Sequence, residues 1–202
     1  MTRHRKAPIL ATVRPLDLAQ HEIQVELTLP EDLSASGAVL TLPAWTPGSY
    51  LVRDYARLLD RVDLRNDRGA RLQAHKVDKQ SWSLPAVQGR AALSYRLFCN
   101  DLTVRTNHVD AHHAQLVGAA TFLHARGETD RPYEVRFEGF PAGWEVATAL
   151  PLRAGAYQAA DFDTLVDSPF ELGRFRLHRF SSGGTRFGFA ITGEHIGDER
   201  RI

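Results

Sequence analysis

Apolar and polar residues alternate with a period of two in short runs, and each run ends in turn residues. Ile23, Val25, Leu27 and Leu29 alternate with Gln24, Glu26 and Thr28. Leu93, Tyr95, Leu97 and Cys99 share one face of a second run, and Tyr133, Val135 and Phe137 one face of a third. A strand turns successive side chains to opposite faces, so this pattern fits a sheet with one buried side and excludes a long helix. Ten or more such runs follow one another, with turn signals roughly every eight to twelve residues. The pattern predicts an all-β domain over residues 1–192: an antiparallel β-sandwich or saddle-like pair of sheets. One short helix is expected near 160–166, with Asp161 as its N-cap and Ser168-Pro169 beyond its end. Strands are also expected from Ala7 to Val13, over Val39–Leu42, Leu72–Val77, Thr103–Thr106 and Leu116–Leu123, and in the pair Phe175–Phe180 and Arg186–Ile191. Pro30 to Gly37 reads as a turn region. Residues 193–202 lose the pattern and read as a connector.

The most unusual stretch is Pro43-Ala-Trp-Thr-Pro-Gly-Ser-Tyr-Leu-Val-Arg-Asp-Tyr-Ala-Arg57. Two prolines, a glycine and three aromatic rings within fifteen residues call for a shaped loop between strands. Trp45, Pro47, Gly48, Tyr50, Arg53 and Asp54 are its candidate structural or cleft-lining residues. Arg53 and Asp54 are expected to pair or to hold the loop backbone. Trp45, Tyr50, Tyr55 and Trp82 could instead form an aromatic platform for a sugar or a peptide, although aromatic cover at the sandwich edge is the simpler account.

Charge narrows the partners. Twenty-five basic and twenty-four acidic side chains nearly cancel, and no basic block stands out, so no nucleic-acid partner is expected. No stretch has the length of a membrane-crossing helix, so no membrane partner is expected either. The run from Ala7 to Val13 reads as a strand and not as a secretion signal. With the single cysteine, Cys99, this makes a cytoplasmic location the default. Cys99 alternates with core residues and reads as a small buried hydrophobe.

Other chemistry finds little support. His108, His112 and His113 surround Asp110, but their spacing matches no established metal motif, and surface loop histidines are the simpler account. The expected metal and catalytic sets are therefore empty. A His-Glu-x-x-His helix is absent; Glu194-His195 has the wrong order and no second histidine. Ser49 follows Gly48, but Tyr50-Leu51 departs from a nucleophile elbow. Asp161, Asp163 and Asp167 lack the glycine and the terminal glutamate of a calcium loop.

The run Pro43 to Arg57 resembles the signature Pro-x-Trp-x-Pro-Gly-Ser-Tyr-x-x-Arg-Asp-Tyr-Ala-Arg of the glycyl aminopeptidases, metallopeptidase family 61. Val109-Asp110…His113-Ala114, Trp144 to Leu150, and Asp161 to Pro169 followed by Gly173 are similar in the same order. The resemblance runs from about Pro15 to Gly193 and is to the family's N-terminal β domain. It implies a non-catalytic domain that supports and partly walls the cleft of a zinc aminopeptidase. The zinc belongs to a catalytic domain with His-Glu-x-x-His, as a partner in cis or as a separate chain. This chain stops where that domain is expected to begin, so no zinc ligand or catalytic glutamate can be carried over. The resemblance thus implies a truncated, split or excised portion of a peptidase. A stand-alone carbohydrate- or peptide-binding sandwich using residues 45–55 is the alternative.

Overall fold

The alternation is realised in the Glu22–Leu29 strand, where Ile23, Val25, Leu27 and Leu29 are buried and the residues between them are half-exposed. The computed structural model describes residues 6–193. The Glu22–Leu29 strand lies in an eight-stranded sheet. From one edge to the other its strands are Leu152–Arg153, Ala156–Ala159, Tyr133–Phe137, Ile9–Asp17, Glu22–Leu29, Ala91–Phe98, Leu59–Asn66 and Arg71–Leu72. Every pairing is antiparallel except one: Ile9–Asp17 runs parallel to Tyr133–Phe137, with Ala11 opposite Val135.

Two four-stranded sheets complete the fold. One runs Glu145–Ala147, Phe170–Gly173, His113–Leu116, His108–Val109; the other runs His124–Ala125, Ala38–Thr41, Ser81–Leu84, His75–Lys76. A separate hairpin pairs Phe175–Ser182 with Thr185–Thr192. The buried residues of all three sheets form one cluster, with Val25, Leu93, Tyr95 and Val135 from the large sheet, Leu40 and Trp82 from one small sheet, and Leu116 and Phe170 from the other. The fold is thus an all-β, sandwich-like assembly, with the apolar faces turned toward a shared interior.

The expected helix forms over Phe162–Val166, and Asp161 caps it by accepting the Thr164 N–H at 2.7 Å. Several local expectations need correction. Leu116–Leu123 is not one strand: after Leu116 the chain forms a helical turn over Gly118–Thr121. All four residues of that turn are buried, and an apolar run buried on every side carries no periodicity to separate strand from helix. Thr103–Thr106 is not a strand but a turn, because the Thr106 hydroxyl donates to the Asp101 carbonyl at 2.7 Å. The Pro30–Gly37 region contains a helix, Glu31–Ala35. The stretch Leu72–Val77 splits between two sheets, with Arg71–Leu72 in one and His75–Lys76 in the other. The strand that starts the fold begins at Ile9, not Ala7. The residues read as a connector lie outside the described residues from 194 onward. Among the described residues no helix is long and apolar enough to cross a membrane.

Candidate functional site

The stretch 43–57 forms a corner tied by its own backbone. Pro47 and Gly48 occupy the centre of a turn closed by the Ser49 N–H on the Thr46 carbonyl at 3.0 Å. Gly48 has φ +80°, which suits the third residue of a Pro-Gly turn. The Trp45 indole N–H donates to the Ser49 carbonyl at 2.7 Å, and the Ser49 hydroxyl donates to the Leu51 carbonyl at 2.8 Å. The Arg53 N–H donates to the Ala44 carbonyl at 2.7 Å and closes the base. Asp54 then takes a left-handed conformation, φ 46° and ψ 45°, and a 3-10 turn follows over Tyr55–Leu58.

This wiring sorts the side chains. Tyr55 (3% exposed) and Ala56 are buried and anchor the corner in the core. Trp45 is 52% exposed and Tyr50 99% exposed, and Leu51 and Val52 also face outward. The Arg105 guanidinium donates to the Gly48 carbonyl at 3.2 Å and ties in the neighbouring 101–106 turn, in which Leu102 and Val104 are exposed. The result is an apolar rim on a fixed backbone.

Two expectations change here. No ion pair joins Arg53 to Asp54 among the described residues; the backbone bonds hold the corner, and Arg53 Nε is buried without a hydrogen-bond partner. The four-ring platform is not assembled, because Tyr55 and Trp82 are both core residues. Only Trp45 and Tyr50 remain available to a ligand. The corner offers no acid–base pair and no activated nucleophile: the Ser49 hydroxyl is engaged with the Leu51 backbone. Cys99 is fully buried, and burial pushes its thiol up to about 12, where it is unreactive.

The histidine-rich link adopts an ordered form. His108–Val109 pairs antiparallel with His113–Leu116. At the turn the Asp110 carboxylate accepts the N–H groups of His112 at 2.7 Å and of His113 at 2.9 Å. His112 is exposed, whereas His108 and His113 are half-buried, with ring centroids 5.2 Å apart. One side-chain ligand atom from each of His108, Asp110 and His113 lies within 4.8 Å of the others. Glu171, from the adjacent Phe170–Gly173 strand, accepts from His113 Nδ1 at 3.0 Å. The sequence signal for this cluster was the histidine density around Asp110. The contribution of Glu171, fifty-eight residues away in the chain, is set by strand pairing and left no local trace.

The sequence profile of the peptidase M61 N-terminal domain matches residues 11–174. The chain belongs to this family. The match takes in both the corner and the histidine hairpin, and it ends just before the Phe175–Ser182 strand. The M61 N-terminal domain seen here is similar to part of the crystal structure of an aminopeptidase N family protein from Idiomarina loihiensis. The two share 28% identity with a TM-score of 0.88, over 96% of this chain and 34% of that one. The chain therefore spans about a third of the length of that relative. An M1 zinc metallopeptidase from Deinococcus radiodurans is a fainter likeness, at 12% identity and a TM-score of 0.47 over 88% of this chain and 43% of that one. No curated protein sequence matches.

Proposed function

We propose that this domain serves as the non-catalytic β portion of a zinc aminopeptidase, with the 43–57 corner and the 101–106 turn lying against a catalytic domain and partly walling its cleft. The observation that carries the reading is the rim itself. Trp45, Tyr50, Leu51, Val52, Leu102 and Val104 are exposed although their backbone is held by specific hydrogen bonds. Clustered exposed apolar groups on a soluble protein commonly mark an interaction surface. Membership in the peptidase M61 N-terminal domain family supports a peptidase catalytic domain as the partner.

The family's zinc chemistry would reside on that partner. A His-Glu-x-x-His site needs two histidines one turn apart on a helix. The three α-helices described here are Glu31–Ala35, Gly118–Thr121 and Phe162–Val166, and none contains a histidine. No step of peptide hydrolysis is therefore assigned to this chain.

Co-expression with the catalytic portion of a full-length family member tests the proposal. The wild-type domain should co-purify with it and raise its activity on short peptides. The double variant Trp45→Ala, Tyr50→Ala should fold but lose at least tenfold in association. Unchanged association in that variant would remove the corner from the interface. Chelator-sensitive cleavage of glycyl or alanyl amides by this chain alone would overturn the non-catalytic assignment. A tryptophan-fluorescence response to glycans or short peptides, with no partner present, that is lost in a folded Trp45→Ala variant would favour the stand-alone binding module.

A further inference from the structure

Strand register places four polar side chains on one face. Val109 and Ala114 are directly opposed and both buried, so they define the inner face of the histidine hairpin. His108 opposes Gln115, and His113 is the diagonal neighbour of His108, so these three lie on the other face. Gln115 in turn opposes Glu171, which adds a carboxylate from the next strand to the same face. The Thr192 hydroxyl donates to Glu171 Oε1 at 2.6 Å and steadies it.

The proton positions follow from the acceptors. Glu171 accepts from His113 Nδ1, which leaves the lone pair of that ring on Nε2. His108 Nε2 lies 3.2 Å from Asp110 Oδ2 and donates to it, which leaves a lone pair on His108 Nδ1. That nitrogen is buried and meets no donor. A buried acceptor without a partner is destabilising, so the arrangement as it stands is incomplete. The Asp110 carboxylate is fixed in place by the N–H groups of His112 and His113, which donate to its Oδ1 at 2.7 and 2.9 Å. Two imidazoles with free lone pairs and a fixed anion converge here.

We propose that His108, Asp110 and His113 bind one divalent transition-metal ion of the zinc class, with Glu171 as the positioning residue that orients His113. Two imidazole nitrogens and one carboxylate oxygen suit Zn²⁺, Co²⁺ or Ni²⁺ and not Ca²⁺ or Mg²⁺. The Glu171–His113 contact has the form of the outer carboxylate that fixes the tautomer of a metal-bound histidine. Zinc bonds of about 2.0–2.1 Å put neighbouring ligand atoms about 3.4 Å apart, and the three ligand atoms already lie within 4.8 Å of one another. A water or an incoming ligand would fill the fourth position. The ion would fasten the two ends of the histidine turn to each other.

The test uses the full 202-residue chain without an affinity tag, dialysed against a chelator and then titrated with Co²⁺ and Zn²⁺. One equivalent of Co²⁺ should bind, with visible bands that Zn²⁺ abolishes, and stoichiometric Zn²⁺ should raise Tm. X-ray absorption of the zinc form should show two imidazoles and oxygen near 2.0–2.1 Å. Asp110→Asn keeps an acceptor for the turn but removes the charge, and should weaken binding at least tenfold. His113→Ala should abolish binding, and Glu171→Gln should weaken it about 10–100-fold. Exposed His112→Ala should bind as wild type does. If the alanine variant fails to fold, the absorption spectrum of the wild-type zinc form decides the ligand set. No stoichiometric binding by the wild type, a coordination shell without imidazole, or wild-type affinity in both Asp110→Asn and Glu171→Gln would overturn the assignment.

Discussion

Trp45 donates its indole N–H to the carbonyl of Ser49, four residues ahead, at 2.7 Å, while much of the same ring stays in solvent. One bond thus fixes both the turn and the direction of the exposed ring. Trp45→Phe keeps the apolar ring but leaves the Ser49 carbonyl without this donor. The loss should be about 1 kcal/mol, confined to the corner. Hydrogen exchange should quicken at the Ser49 and Arg53 amides while the strand amides of Glu22–Leu29 stay protected. Uniform exchange across both regions, equal to wild type, would show that the indole bond does not hold the corner.

Tyr50 and Tyr55 are five residues apart and have opposite fates. Tyr50 is 99% exposed and Tyr55 3% exposed. Tyr50→Ser should change stability by no more than about 0.5 kcal/mol, as other free surface substitutions do. Tyr55→Ala removes a buried aromatic ring under the corner and should cost about 3–5 kcal/mol. Urea denaturation of the two variants checks the contrast. A substantial loss in Tyr50→Ser would mean that its ring packs against the domain in solution and is not free for a partner.

That contrast marks how far the amino-acid order is legible. Where a strand has one wet face, as in Glu22–Leu29 or Ala91–Phe98, period-two alternation reads directly as structure. The Pro-Gly turn and the Asp161 cap are local chemistry and were equally plain. The direction of Tyr55 was not, because the left-handed Asp54 reverses the chain just before it and breaks any extrapolated alternation. Asp is one of the few residues other than glycine that takes this conformation cheaply, but nothing nearby announces that it does. The parallel pairing of Ile9–Asp17 with Tyr133–Phe137 joins segments more than a hundred residues apart. Glu171 reaches the histidine hairpin for the same reason: pairing between distant strands, not local pattern, brings it there.

Arg131 supplies a pH prediction. It is 2% exposed, and it donates to Asp32 at 2.8 Å, to Glu128 at 2.6 Å and to the Ala7 carbonyl at 2.8 Å. Arg131→Met removes the bonds to all three partners and should cost about 3 kcal/mol, near the lower limit for breaking a buried pair, since solvent partly reaches the carboxylates. Hydrogen bonding from Arg131, ahead of its charge, holds Asp32 below the usual carboxylate pKa. A depressed folded value means that the pair contributes fully above the unfolded value of about 3.9 and that its contribution is lost as pH falls through the folded value. Asp32→Asn should therefore be less stable than wild type at pH 6, and the gap should close as the pH is taken down toward 2. Because Asp32 is half exposed, the gap should be modest. A gap that stays constant over this range would assign the effect to packing and not to charge.

Gly118 makes the sharpest stability prediction. It opens the helical turn Gly118–Thr121, where alanine would ordinarily be better than glycine by about 1 kcal/mol. Here a Cβ would stand 2.5 Å from the Leu165 carbonyl oxygen and 2.9 Å from Val166 Cα. Both are backbone atoms of the Phe162–Val166 helix, so no side-chain rotation relieves the contact. The two short helices must separate, and Leu165, which is fully buried, must move with its backbone. Overpacking of this kind typically costs 1–3 kcal/mol and outweighs the gain in propensity. Gly118→Ala should fold but with Tm lowered by several degrees, and with faster exchange at the Leu165 and Asp167 amides, whose N–H groups bond to the carbonyls of Asp161 and Asp163. A Tm equal to or above wild type would mean that the helices are free to part at this point, and that their close approach is not a requirement of the fold.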